Sequence, residues 1–131
     1  MVNAKAKTRF DGKKVVRAAK RASITNLAHA GAAIRLAARH SIKKGKGPSA
    51  PGTPPHTRKG RIRNAIKYAV TAGEQSVVIG PDYQVAADAG SAHEFGGRYR
   101  RETYDPRPFM GPALQKTKDR LPRMWAGSVK N

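Results

Sequence analysis

Arg17, Arg21, Arg35, Arg39 and Lys43 recur at separations of four and eighteen residues. On a helix of about 3.6 residues per turn, that spacing gathers them within roughly a quarter-turn. Cationic side chains on one face do one kind of chemistry: they bind anions. Like charges four residues apart repel by a few tenths of a kcal/mol each. Two readings stand for this face, a solvated surface and a surface that meets an external anion. Lys44, Lys46, Arg58, Lys59, Arg61 and Arg63 continue the basic set along the chain.

The charge balance extends the same theme. The 131 residues hold 27 Lys and Arg against 8 Asp and Glu, a net of +19. Residues 1–67 carry 18 of the basic residues and one acid, Asp11, a net of +17. Residues 68–131 carry nine basic residues and seven acids, a net of +2. A half so basic calls for a polyanion or an acidic partner surface.

Other chemistries find no constellation. His29, His40, His56 and His93 are scattered, and no second ligand follows at a metal spacing. Nothing singles out Asp82, Asp88, Glu94 or Glu102 as a catalytic pair. The glycine-rich GKGPSAPG lacks the Lys-Ser/Thr ending of a phosphate loop, and no nucleophile elbow surrounds a serine. With no cysteine there is no disulfide or thiolate site. The chain is expected to be no enzyme and to need no cofactor, metal or small-molecule substrate. No apolar run approaches the roughly 20 residues of a membrane span, and the basic N-terminus has no apolar signal stretch. A soluble protein that is not exported by that route is expected. Base-reading signatures are also missing, and Phe10 is the lone aromatic before Tyr68. Any nucleic-acid contact is therefore expected at backbone phosphate, blind to sequence.

The elements that would carry these residues form an α+β fold: a long N-terminal helix, a small antiparallel sheet with a hairpin, and a C-terminal helix. Residues 1–131 read as a single domain, with a flexible basic arm at 1–10. Asp11 suits a helix N-cap. Ile24, Leu27, Gly31, Ile34 and Ala38 mark the buried stripe of a helix running to about Lys44, and Val16 and Ile42 extend it. A Pro/Gly-rich loop at 45–60 should be extended, exposed, and mobile or laid against a neighbour. Residues 61–71 turn from helical to alternating, and Ser76–Gly80 is a strand, so 66–81 reads as a hairpin with its turn at 72–75. Tyr83–Phe95 suits a short helix or a turn into one, broken at Gly96 and Gly97. Residues 98–105 suit a strand or extended arm. From Phe109 a last helix runs towards Ser128, kinked at Pro122. The apolar fraction is 38% and much of it is alanine, so a thin core helped by neighbouring subunits is expected.

Two segments carry a resemblance: PSAPGTPPHTRKGRIRNAIKY, residues 48–68, and AHEFGGRYRRETYDPRPFMGPALQKTKDRL, residues 92–121. They resemble the head–tail joining proteins of tailed bacteriophages, also called neck, tail-completion or minor tail proteins. The matching pieces are Thr57–Arg63, the Glu94-Phe95-Gly96 turn and the step Arg107–Ala113, in the family's order. Gly97 stands where the family usually has threonine.

The resemblance implies a structural virion protein that oligomerises into a ring, six- or twelvefold, at the neck. The ring would form a tail-completion or terminator layer around the DNA channel. Its partners would be copies of itself, the adjoining connector and tail proteins, and channel DNA touched through its backbone. It would sit in the virion, and in host cytoplasm during assembly. Phe95, Pro108, Phe109 and Met110 would then be subunit contacts. Phe109 and Met110 read equally as core residues, because Pro108 and Pro112 fix the entrance of a helix around them. Glu94 is expected to pair with an arginine that spacing does not identify. The competing class is a cellular nucleic-acid-binding protein, such as a ribosomal protein. Against it stands the near-neutral, proline-punctuated second half.

Overall fold

The computed structural model describes residues 11–129, so the basic arm expected at 1–10 lies outside the described residues. The first helix, α1, spans Gly12–Ser41. Asp11 caps it, its carboxylate accepting the Lys14 N–H at 3.1 Å, which satisfies one of the orphan donors of the first turn. The expected stripe holds from Gly31 onwards: Gly31, Ile34 and Ala38 are buried, and Ile42 beyond the helix is fully buried. At the N-terminal end it fails, since Val16 is exposed.

The helix stops three residues short of the expected Lys44. Ile42 turns extended at φ −84 and ψ 110, which drops its side chain into the core. Lys43–Lys44 (β1) then pair in parallel with His56–Thr57 (β2). The loop at 45–60 is thus no free extended loop. Ser49, Pro55 and Thr57 are buried. The Gly52 N–H donates to the Pro106 carbonyl at 2.8 Å, and Arg107 Nε donates to the Ser49 carbonyl at 2.7 Å. The segment is a strap pinned at both ends and in its middle. Its four prolines limit the pairing to two residues.

A short helix α2, Arg61–Ala65, leads into the hairpin of β3, Ile66–Thr71, and β4, Ser76–Pro81. Register runs from Ile66 opposite Pro81 to Thr71 opposite Ser76, as the alternation implied. One face of the hairpin rests on α1 at Gly31. A Cβ there would stand 2.8 Å from both a Tyr68 ring carbon and a Val77 methyl, so only glycine lets the elements approach this closely.

The segment expected as a short helix, or a turn into one, holds two helices, α3 at Tyr83–Ala86 and α4 at Ala89–Phe95. Ala87 separates them with φ 47. The segment 98–105, expected as a strand or extended arm, is most of a second hairpin of two strands, β5 at Gly97–Tyr99 and β6 at Glu102–Tyr104. Arg100 and Arg101 reverse it, both at positive φ. The last helix, α5, is short, Met110–Thr117. The chain breaks from it before Pro122 and closes with a 3-10 turn at Leu121–Met124, so the expected kinked helix to Ser128 is two pieces. Ile34, Ala38, Ile42, Ile66, Phe109 and Ala113 form the core between α1, β3 and α5.

Candidate nucleic-acid and assembly surface

The basic stripe of α1 divides in two. Arg17 and Arg21 lie in solvent on its first half. Arg17 Nε reaches only the Lys13 carbonyl of its own helix, at 3.4 Å. Arg35 is partly buried and donates to the Ile66 carbonyl at 2.8 Å. Arg39 donates to Asn64 Oδ1 at 3.1 Å. These two arginines therefore hold β3 and α2 onto α1, while Arg17 and Arg21 stay exposed. On the strap, Lys43, Lys44, Lys46, Arg58 and Lys59 are exposed, as is Arg61, and Arg63 is half-buried. Lys44, Lys46 and Arg58 line one shallow depression.

Among the described residues almost none of this charge is neutralised within the chain. Asp11, the lone acid of residues 1–67, serves as the helix cap. Among the described residues one ion pair forms, Lys67 with Asp82 at 2.7 Å. Lys67 holds the Asp82 carboxyl below its usual range, and the Gln84 N–H adds to the effect. Arg17 and Arg58 each use their Nε on a backbone carbonyl of the chain, and both side chains are otherwise exposed.

The second motif resolves into a joint. Glu94 meets no arginine; its carboxylate accepts the backbone N–H groups of Phe109 and Met110 at 2.9 Å and of Gly111 at 2.8 Å. These are the orphan donors at the start of α5, where negative charge also suits the helix dipole. The Arg107 N–H donates to the His93 carbonyl at 2.6 Å. The Glu-Phe-Gly turn and the Arg-Pro-Phe-Met step thus belong to one device that docks α5.

Of the four residues expected at a subunit contact, Phe109 is corrected: it is fully buried in the chain's own core and offers nothing to a neighbour. Met110 packs partly against that core, and Pro108 is half-buried. Phe95 remains, 80% exposed. It sits at the end of α4, where Gly96 turns the chain with φ 71. Val78 and Tyr83 are also exposed beyond 60%. Sequence reasoning did not select them. Val78 faces out because its β4 neighbours Val77 and Ile79 face α1 and the core.

His93 is half-buried, and burial together with the nearby Arg107 charge pushes its imidazole below the usual histidine range. Among the described residues no cluster of three or more His, Asp or Glu gathers within reach of one metal ion. None of the described helices is long and apolar enough to cross a membrane. The described surface as a whole presents hydrogen-bond donors and positive charge. Comparison with known proteins returns no match to any family model, curated protein or solved structure.

Proposed function

We propose that this chain is a non-enzymatic structural subunit of a tailed bacteriophage, part of a ring at the head–tail junction. Its basic half faces the phosphate backbone of channel DNA or an acidic surface of the adjoining ring. The observation that carries this reading is the unneutralised charge: a net of +17 in residues 1–67, whose single carboxylate is a helix cap. So much like charge on one subunit favours an outside polyanion, since screening acts over about 8 Å at physiological salt.

Assembly from copies of the chain is supported by the exposed Phe95, Val78 and Tyr83 beside a core with one large aromatic, Phe109. The two segments that carry the phage resemblance also meet in space, through Arg107 with Ser49 and Gly52 with Pro106.

The test is mass by light scattering, with and without duplex DNA, and duplex affinity across a salt series. A ring-sized mass is expected. So is a steep fall of affinity with salt, and equal binding of unrelated sequences. Arg17→Ala with Arg21→Ala should weaken every duplex alike and reduce the salt slope. A monomer that prefers structured RNA would move the chain to the cellular RNA-binding class. A shallow salt slope with ring mass intact would turn the basic half towards an acidic protein ring.

A further inference from the structure

Between the strap and the short helices runs a groove of about 320 Å³, the small end of the range for small-molecule sites. Three guanidinium groups border it, from Arg58, Arg61 and Arg100, with the imidazoles of His56 and His93. No carboxylate lines it. Ile62, Val85, Ala86, Ala87 and Ala89 supply its apolar lining, with Tyr99 alongside.

Two of the three cations are held in place before any ligand arrives. Arg58 Nε donates to the Lys46 carbonyl at 3.0 Å. The Arg100 guanidinium stands 5.3 Å from the centroid of the Tyr99 ring, a cation–π distance. The backbone is strained at the same place. Ala87 has φ 47 with ψ −138, and Arg100 has φ 49. Such conformations cost non-glycine residues on the order of 1–3 kcal/mol and gather at ligand sites.

We propose that this groove is an oxyanion site for a phosphate ester. Arg58, Arg61 and Arg100 take the phosphate, and Tyr99 with the apolar part of the lining takes the organic group. Three guanidinium groups without a counter-charge match a dianionic phosphate better than a single carboxylate, and arginine's planar fork suits its oxygens. Duplex backbone lying on the exposed arginines of α1 would leave the apolar lining residues without a partner, whereas a nucleoside monophosphate uses both the cations and the apolar residues of the groove. The site shares Arg58 and Arg61 with the basic half, but binding through Arg17 and Arg21 of α1 does not require it.

The experiment is calorimetric titration of the full chain at fixed ionic strength with adenosine 5′-monophosphate, adenosine, inorganic phosphate and an acidic peptide. The monophosphate should bind and adenosine should not. Arg61→Gln with Arg100→Gln, both exposed positions, should weaken monophosphate binding by about tenfold or more. Arg17→Gln with Arg21→Gln removes the same charge and should change it less than about twofold if binding is local. Thermal unfolding of both variants checks that the fold is intact.

Equal losses in the two variants would overturn the proposal, since they would mean diffuse attraction. Adenosine binding as well as its monophosphate, or an acidic peptide binding more tightly, would overturn it too. Inorganic phosphate as tight as the monophosphate would keep the oxyanion site and identify free phosphate as its occupant. Competition by a duplex would identify nucleic acid as the source of the phosphate; failure to compete would identify a free phosphate ester. Loss of duplex binding with monophosphate binding intact would remove the DNA reading alone.

Discussion

The Glu94 carboxylate accepts the Phe109 backbone N–H at 2.9 Å across a separation of 15 residues, and the next two N–H groups as well. A single acidic side chain at the end of one helix thereby caps the next and seats Phe109 in the core.

Removing that cap should be costly. Glu94→Ala leaves three donors at a helix start without their acceptor and removes a charge favourable to the dipole. The expected loss is about 2–3 kcal/mol. Glu94→Gln keeps one oxygen acceptor and should lose about half as much. Urea unfolding checks this, with the midpoint falling and the slope unchanged.

Phe109 and Phe95 should separate folding from assembly. Phe109 is fully buried, so Phe109→Ala should lose about 3–5 kcal/mol. Phe95 is 80% exposed, so Phe95→Ser should change monomer stability by less than about 0.5 kcal/mol. In the proposed ring it should instead lower the assembled mass. Denaturation and light scattering on the two variants make the comparison; unchanged mass for Phe95→Ser removes Phe95 from the contact.

Gly31→Ala tests the close contact of α1 with the first hairpin. In an exposed helix this change would stabilise by about 1 kcal/mol. Here the new methyl would stand 2.8 Å from Tyr68 and Val77 side-chain atoms. Overpacking costs about 1–3 kcal/mol, so the net effect should be a loss, larger for Gly31→Val. A raised melting temperature for Gly31→Ala would show that Tyr68, which is partly exposed, yields freely.

His93 sets a pH dependence with a definite sign. Burial, and then Arg107, hold its folded-state value below the ordinary histidine value of 6.5. Above pH 6.5 the histidine is neutral in both states and its full contribution is present. As pH falls below 6.5, the unfolded chain binds a proton that the folded chain refuses, so stability declines until the folded value is passed. Thermal melts from pH 7.5 to 5 should show this decline, and His93→Gln should flatten it. An equal slope in the variant would assign the decline to another group.

Several features were settled by the chain locally. Asp11 as cap, the Gly31–Ile42 stripe and the 66–81 hairpin follow from periodicity and side-chain chemistry within a few residues, and they are where those rules put them. The charge asymmetry is a property of composition and needs no fold. Tertiary structure decided the rest, because the deciding partners lie far apart in sequence. Ile42 leaves the helix to fill the core, and the strap is pinned by Arg107, 58 residues beyond Ser49. Arg35 and Arg39 share a helical face with Arg17 and Arg21, yet only the later pair meets the Ile66 carbonyl and Asn64. The Arg100–Arg101 turn lacks the glycine or asparagine that usually announces positive φ. Glu94 was legible as an acid in a motif, but its partners are backbone N–H groups, which every residue but proline carries. Only folding could determine which three it caps.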